Sequence, residues 1–270
     1  MRSFIIHFGM DLKGGLRDKT LLFMNYLFPL GFFLAMGGIM PKINPQYGEI
    51  LIPSMMIFGI LVSSILGMPN VLVTSRNNGI FRSYKINGVS KLSMMAIPTL
   101  STIFHTIIVT AIILLSAPFL FGSELPGNMG GLILVFIATV IAITGIALLI
   151  GIIAKNTSVT VLYAQAIFLP SMLIGGLMMP SSALPESIST FGKLLPTTYA
   201  MDAYQALVEN GQHSFNPFIS LGILLSCGVI CFILSWYLFK LDNNNTSKSK
   251  SKLWALGALI PFILGTIFLK

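Results

Sequence analysis

Long apolar runs separated by short polar breaks dominate the chain. Six of them lie near Thr20–Met40, Leu51–Val73, Leu92–Phe121, Leu132–Ala154, Val161–Met179 and Phe218–Phe239. Each is continuous and long enough to cross the ~30 Å hydrocarbon core of a bilayer as a helix. Strands of a membrane barrel would alternate apolar and polar positions instead. The pattern predicts an all-α polytopic membrane protein with six transmembrane helices over residues 20–240. The third run has room for an interfacial turn or a tilt. Pro29 and Pro170 are expected to kink their helices.

The flanks add three elements. In residues 1–19, Met1, Ile5, Phe8, Leu12 and Leu16 recur at helical spacing while Arg2, Lys13 and Arg17 point elsewhere. That periodicity predicts an interfacial amphipathic helix, or else a leader helix packed on a neighbour. Asp11 and Asp18 interrupt any cleavable signal pattern. Residues 241–252, LDNNNTSKSKSK, form a basic linker. The 253–270 segment is apolar, interrupted by Gly257, Pro261 and Gly265, and reads as a possible seventh span or a re-entrant segment.

Two polar breaks stand out. The island Thr74–Lys91, TSRNNGIFRSYKINGVSK, carries four basic residues and no acid. Hydrocarbon cannot hold such a loop, so it is expected to face water. The stretch 180–217 is longer and only moderately polar: Leu184, Ile188, Phe191, Leu194 and Leu195 precede Pro196, and a second helical pattern runs from Thr198 to Asn210. It predicts two short re-entrant helices, the second capped by Thr197 or Thr198 and closed at Gly211. Asp202 and Glu209 on it either meet polar groups of a cargo or face water, and water is the expectation.

Composition agrees with the membrane reading. Only 9% of side chains are charged, against about 25% in soluble domains. The net charge of +8 does not point to nucleic acid, because the basic residues flank the spans. With the N-terminus inside, thirteen Lys and Arg lie on the cytoplasmic side, and Lys42 and Lys193 lie on the other. The positive-inside rule therefore places the N-terminus and the island in the cytoplasm. A bacterial plasma membrane is the expected location. Cys227 and Cys231 share one helix face and read as small core residues.

No enzyme constellation is present: there is no metal-ligand spacing, no GxSxG and no HExxH. Within the spans as drawn, His105 is the only group that titrates near neutrality, and it reads as a packed interior histidine. The chain lacks a GxxxxGK[ST] phosphate loop, so any ATP and Mg would be bound by a partner subunit and no cofactor by this chain.

The order of these features resembles the permease subunit of type 2 ABC exporters. In the island, Gly79, Phe81, Arg82, Val89 and Ser90 match that family's coupling-helix pattern. Asn77 and Asn78 stand where it commonly has an acid, and Gly88 replaces its proline. Downstream, Gly176, Pro180, Leu184, Pro185, Pro196, Thr198, Tyr199, Asp202 and Ala203 fall where its outer re-entrant motif is expected. The resemblance covers about residues 1–240. It implies coupling to an ABC-type ATPase, present in two copies, through Gly79, Ile80, Phe81, Arg82, Tyr84 and Lys85. Ile80, Phe81, Tyr84 and Ile86 are expected to present anchors to it, with Phe81 and Tyr84 the expected ATPase contacts; alternatively the island rests on lipid headgroups. It also implies a second permease copy, identical or a paralogue, and membrane lipids as neighbours. Small residues such as Ala147 and Gly151 are expected to allow close helix packing. The expected function is export of an amphipathic or lipid-like compound, an antimicrobial or toxic natural product. Export of a lipid-linked glycan and ion-coupled secondary transport are the alternatives.

Overall fold

The computed structural model describes residues 2–44, 47–178, 185–209, 215–241 and 254–268, and among these residues all regular secondary structure is helical. Helix α1 covers Arg2–Arg17. Asp18 then interrupts the chain in an extended conformation, and its side chain accepts from the Thr20 and Leu21 amides at 2.8 and 3.0 Å. That N-cap starts α2, Lys19–Ile43.

Proline shapes the next two helices. Helix α2 contains a π turn at Phe23–Leu27 just before Pro29, and α3, Tyr47–Asn77, contains one at Val62–Gly67 just before Pro69. A proline has no N–H for the carbonyl four residues earlier, and a widened turn absorbs the mismatch. The irregularity expected at Pro29 thus takes the form of a π turn, and the two π turns pack against each other.

The short helix α4, Ile80–Ile86, follows, and then α5, Lys91–Phe121. At 31 residues, α5 is one continuous helix about 46 Å long, with no interfacial turn. Helices α6, Met129–Ile153, and α7, Thr157–Ile174, start on Asn128 and Asn156 caps. Two short helices, α8 (Glu186–Gly192) and α9 (Pro196–Leu207), precede α10, Pro217–Leu238. Among the described residues, α2, α3, α5, α6, α7 and α10 are the helices long and apolar enough to cross a membrane.

Helix α3 is the centre: 94% of its most apolar window is buried, against 22% for α2 and α7. Helix α6 binds it to α10 through small residues. A Cβ on Gly151 would lie 2.6 Å from Leu72 Cδ1 of α3, and one on Gly228 of α10 would lie 2.7 Å from the Ile141 carbonyl oxygen. In a bilayer such backbone proximity replaces the hydrophobic effect as the adhesive between helices. Gly151 thus meets its expectation, and the Gly228 contact is the tighter crossing. The hydroxyls of Thr99, Thr102 and Thr144 donate to carbonyls one turn back, which satisfies them without water.

The C-terminal segment lies antiparallel along α10. A 3₁₀ segment, Trp254–Leu259, leads into α11, Ile260–Phe268. Gly257 sits near Leu234, while Gly265 approaches Ile223 and Tyr199 at the other end of α10. The Cys227 thiol donates to the Ala258 carbonyl at 3.7 Å, and both cysteines are free and buried. Most of the basic linker, Pro180 and Gly211 lie outside the described residues.

Candidate coupling site

The island is an ordered corner, not a free loop. Its first basic residue overturns the expectation that the island faces water throughout. Arg76 lies in the last turn of α3, 5% exposed, and its guanidinium reaches the C-terminal end of α6. Nη1 donates to the carbonyls of Ile152 at 2.8 Å and Gly151 at 3.4 Å, and Nη2 donates to that of Ala154. The last carbonyls of a helix have no intrahelical donor and carry its negative dipole end. A fork of N–H groups answers both needs, so Arg76 fastens the end of α3 to the end of α6.

Gly79 makes the turn. At φ 73° it occupies the left-handed region, which L side chains rarely adopt, and it leads directly into α4. Helix α4 then presents two faces. Phe81, expected among the exposed anchors, is buried and packs against Phe239 at the end of α10, with centroids 5.4 Å apart. Tyr84 is half-buried, edge-on to His7 of α1 at 5.1 Å. Ile80, Arg82, Lys85 and Ile86 are exposed, Ile86 by 79%. Ser90 caps α5 by accepting from the Ser93 amide at 3.1 Å. Lys91 lies over the Trp236 ring at 4.7 Å and donates to the Trp236 carbonyl. Around α4, therefore, residues of the island join α1 to the ends of α3, α5, α6 and α10.

The second cluster occupies the opposite end of the bundle. Gly176, buried with φ 87°, turns the chain out of α7. Pro185 precedes α8. Helix α9 starts at Pro196, whose missing N–H costs nothing at a first helical position. The expected threonine caps are not formed: Thr198 donates to the Gly192 carbonyl at 2.6 Å and Thr197 to that of Ser171 at 3.3 Å, so both tie α9 to the preceding elements. Tyr199 is buried between the rings of Phe215 and Phe262, at 5.6 and 5.8 Å, and donates to the Lys193 carbonyl at 2.8 Å.

Asp202 departs from its expected place in water. It is 6% exposed, accepting from the Phe215 amide at 3.3 Å and the Ser220 hydroxyl at 3.1 Å. Its task is to pin the start of α10 to α9. Glu209 lies at the surface as expected. Crowding of its carboxyl by the surrounding protein, and then the Glu49 charge, hold it up at about 7. Among the described residues no cluster of His, Cys, Asp or Glu could hold a metal.

Sequence reasoning missed Arg76 and misplaced Asp202. The available signals were an arginine within one turn of an apolar run and an acid set among Ala200, Met201 and Ala203.

The family model described as ABC-2 family transporter protein matches residues 25–237. The linearmycin resistance permease protein LnrN of Bacillus subtilis (strain 168) is 23% identical over 169 residues, which is 63% of this chain and 44% of that protein. The chain thus spans under half the length of this relative. No solved structure gives a significant match.

Proposed function

This chain belongs to the ABC-2 family of transporter proteins, and on that premise we propose that it is the permease of an ATP-driven exporter whose separate ATPase docks on α4. The observation that carries the reading is the wiring of the island. Phe81 and Tyr84 hold α4 to α10 and α1, Arg76 ties its approach to α6, and Lys91 ties its exit to α10. A push on α4 is therefore passed to several helices at once.

The outward face suits a docking role. Ile80 and Ile86 supply apolar anchors, flanked by Arg82 and Lys85. A short amphipathic helix laid into a groove is a common mode of recognition. The contact residues we assign are Ile80, Arg82, Lys85 and Ile86, with Phe81 and Tyr84 setting the pose of the helix and Gly79 its turn.

In this reading the N-terminus and α4 are cytoplasmic, which the distribution of Lys and Arg supports, in the plasma membrane of a bacterium. On α1, Ile5, Ile6, Met10 and Leu16 stay exposed, which suits a helix lying in the interface. The permease works as a pair with two ATPase copies, and the exposed apolar faces of α2, α5 and α7 meet lipid or the second permease. ATP and Mg are bound by the ATPase. The cargo is an amphipathic antimicrobial or toxic natural product. The apolar spans and the resistance relative support that class over a lipid-linked glycan.

The test is co-reconstitution of the chain with its ATPase in sealed vesicles. We expect cargo movement to require ATP, and the double change Arg82→Glu, Lys85→Glu to abolish copurification of the ATPase without unfolding the permease. Cargo movement driven by a pH gradient in the absence of ATP would overturn the reading.

A further inference from the structure

The segment Trp254–Phe268 is apolar both toward the protein and away from it. Ala258, Pro261, Phe262 and Gly265 are buried and recur at helical spacing, so they form the face laid on α10. Trp254, Leu256, Leu259, Ile260, Ile263 and Leu264 are exposed, and none is polar. The Thr266 hydroxyl donates to the Ile263 carbonyl at 2.7 Å, which satisfies it without water. No charge interrupts the run from Leu253 to Leu269. A helix resting on a protein in water turns polar residues outward, whereas one that is apolar all round lies within protein or lipid.

Its course is that of a spanning element. A Cβ on Gly257 would stand 3.5 Å from Leu234 Cδ1, and one on Gly265 would stand 3.0 Å from Ile223 Cδ1. The segment thus runs along α10 from its island end toward its far end, and its opening turns also touch α6. The 3₁₀ stretch matters for reach. It rises about 2.0 Å per residue against about 1.5 Å in an α-helix, so Trp254–Phe268 extends about 25 Å and not about 22 Å. Both helix types pair their backbone groups within the segment, as hydrocarbon requires. Lys252 and Lys270 flank it in the sequence, and basic side chains that snorkel offset a small mismatch with the ~30 Å core.

At the far end the segment meets α9. Phe262, 1% exposed, packs on the Tyr199 ring with centroids 5.8 Å apart. A Cβ on Gly265 would stand 2.5 Å from the Tyr199 hydroxyl, so the absence of a side chain there lets the two elements close. That hydroxyl donates to the Lys193 carbonyl in the link between α8 and α9. The segment therefore presses on a side chain that ties the two short helices together. It lies beyond residues 25–237, which the family model matches.

We propose that Trp254–Phe268 is a seventh membrane-spanning segment, a strap that crosses antiparallel to α10 and holds α9 in place through Tyr199. The chain after Phe268 then emerges on the side opposite α4. The linker before the segment carries Lys248, Lys250 and Lys252, which suits the side of α4. A re-entrant segment would turn back toward α4, whereas this one continues from the level of Leu234 to that of Ile223. The proposal rests on this packing and not on the exporter reading, and its test needs neither ATPase nor cargo.

Ile86→Cys and Lys270→Cys, introduced separately in the full-length chain, are exposed to a membrane-impermeant maleimide in intact cells and again after permeabilisation. Cys227 and Cys231 are buried, so the wild type should stay unlabelled. We expect Lys270→Cys to label in intact cells and Ile86→Cys only after permeabilisation. Labelling of both from the same side would defeat the seventh span. The mirror result would uphold the span and overturn instead the cytoplasmic placement of α4. For the strap, Phe262→Ala should speed amide hydrogen exchange in α9 at least about tenfold and leave α5 unchanged. If that variant fails to fold, Phe262→Leu is read for the same contrast. Unchanged exchange in α9, or equal acceleration in α5, would defeat the strap.

Discussion

The two ends of the bundle are built on different principles. At the far end, α9 is fixed by continuous packing: Tyr199 lies between two aromatic rings, and the buried Asp202 accepts from the chain entering α10. At the island end, α4 is fixed at separate points, by Phe81, Tyr84 and the arginine clamp just before it, with a cavity beside them. Continuous packing resists deformation in every direction, whereas separate contacts beside an open pocket leave room for movement about each of them. The difference suits an articulated receiver of force at one end and a stiff closure at the other.

The strongest way to break this comparison is at Phe81. Phe81→Ala removes a buried ring, and we expect a loss of about 3–5 kcal/mol as for other buried Phe→Ala changes, read as a lower melting temperature in detergent. Its neighbour Ile86 is the control. Ile86→Ala should change stability by less than about 0.5 kcal/mol, as exposed sites do, yet weaken ATPase copurification. Equal destabilisation by the two changes would mean that α4 has no distinct inner and outer faces.

Next in size are the two buried polar anchors. Arg76→Met leaves the last carbonyls of α6 without donors, and we expect a cost of about 2–3 kcal/mol together with ATP hydrolysis no longer stimulated by cargo. Asp202→Ala orphans the Phe215 amide and the Ser220 hydroxyl, at a cost of about 1–3 kcal/mol. If the far end is the stiff one, Asp202→Ala should leave hydrolysis coupled to transport while lowering the melting temperature. Uncoupling by Asp202→Ala would erase the contrast between the two ends.

The smallest effect concerns pH. The Glu209 carboxyl is raised from an ordinary 4.5 to about 7, so between those values the folded chain holds a proton that the unfolded chain has released. Stability contributed by that proton is present at low pH and is lost as pH rises through about 7. Glu209→Gln should flatten this decline, visible as a smaller drop in melting temperature between pH 5 and pH 8. An unchanged slope would show that Glu209 is not crowded at the far end.

Much of this architecture was legible in the chain. The six apolar runs became six helices with ends shifted by a few residues, because the cost of burying backbone and charge in hydrocarbon is set residue by residue. Pro29 was readable as an interruption, since it acts on its own backbone. The amphipathic first segment became α1, and the 180–217 region supplied two short helices. The C-terminal segment was ambiguous by length, and contact with α10 gave it its course.

What only the tertiary structure decided is where polar groups go once helices meet. Arg76 and Arg82 are alike in the sequence, six residues apart in one basic island, yet one is buried on the end of α6 and the other exposed. Asp202 and Glu209 are both acids of one outer segment, and only Asp202 is drawn inside. Phe81 faces inward because α10 ends at Phe239 beside it. The sequence determined which segments could enter a membrane, because that depends on each segment's own solvation. Their partners followed from which helix ends the fold brings together, and no local pattern encodes that.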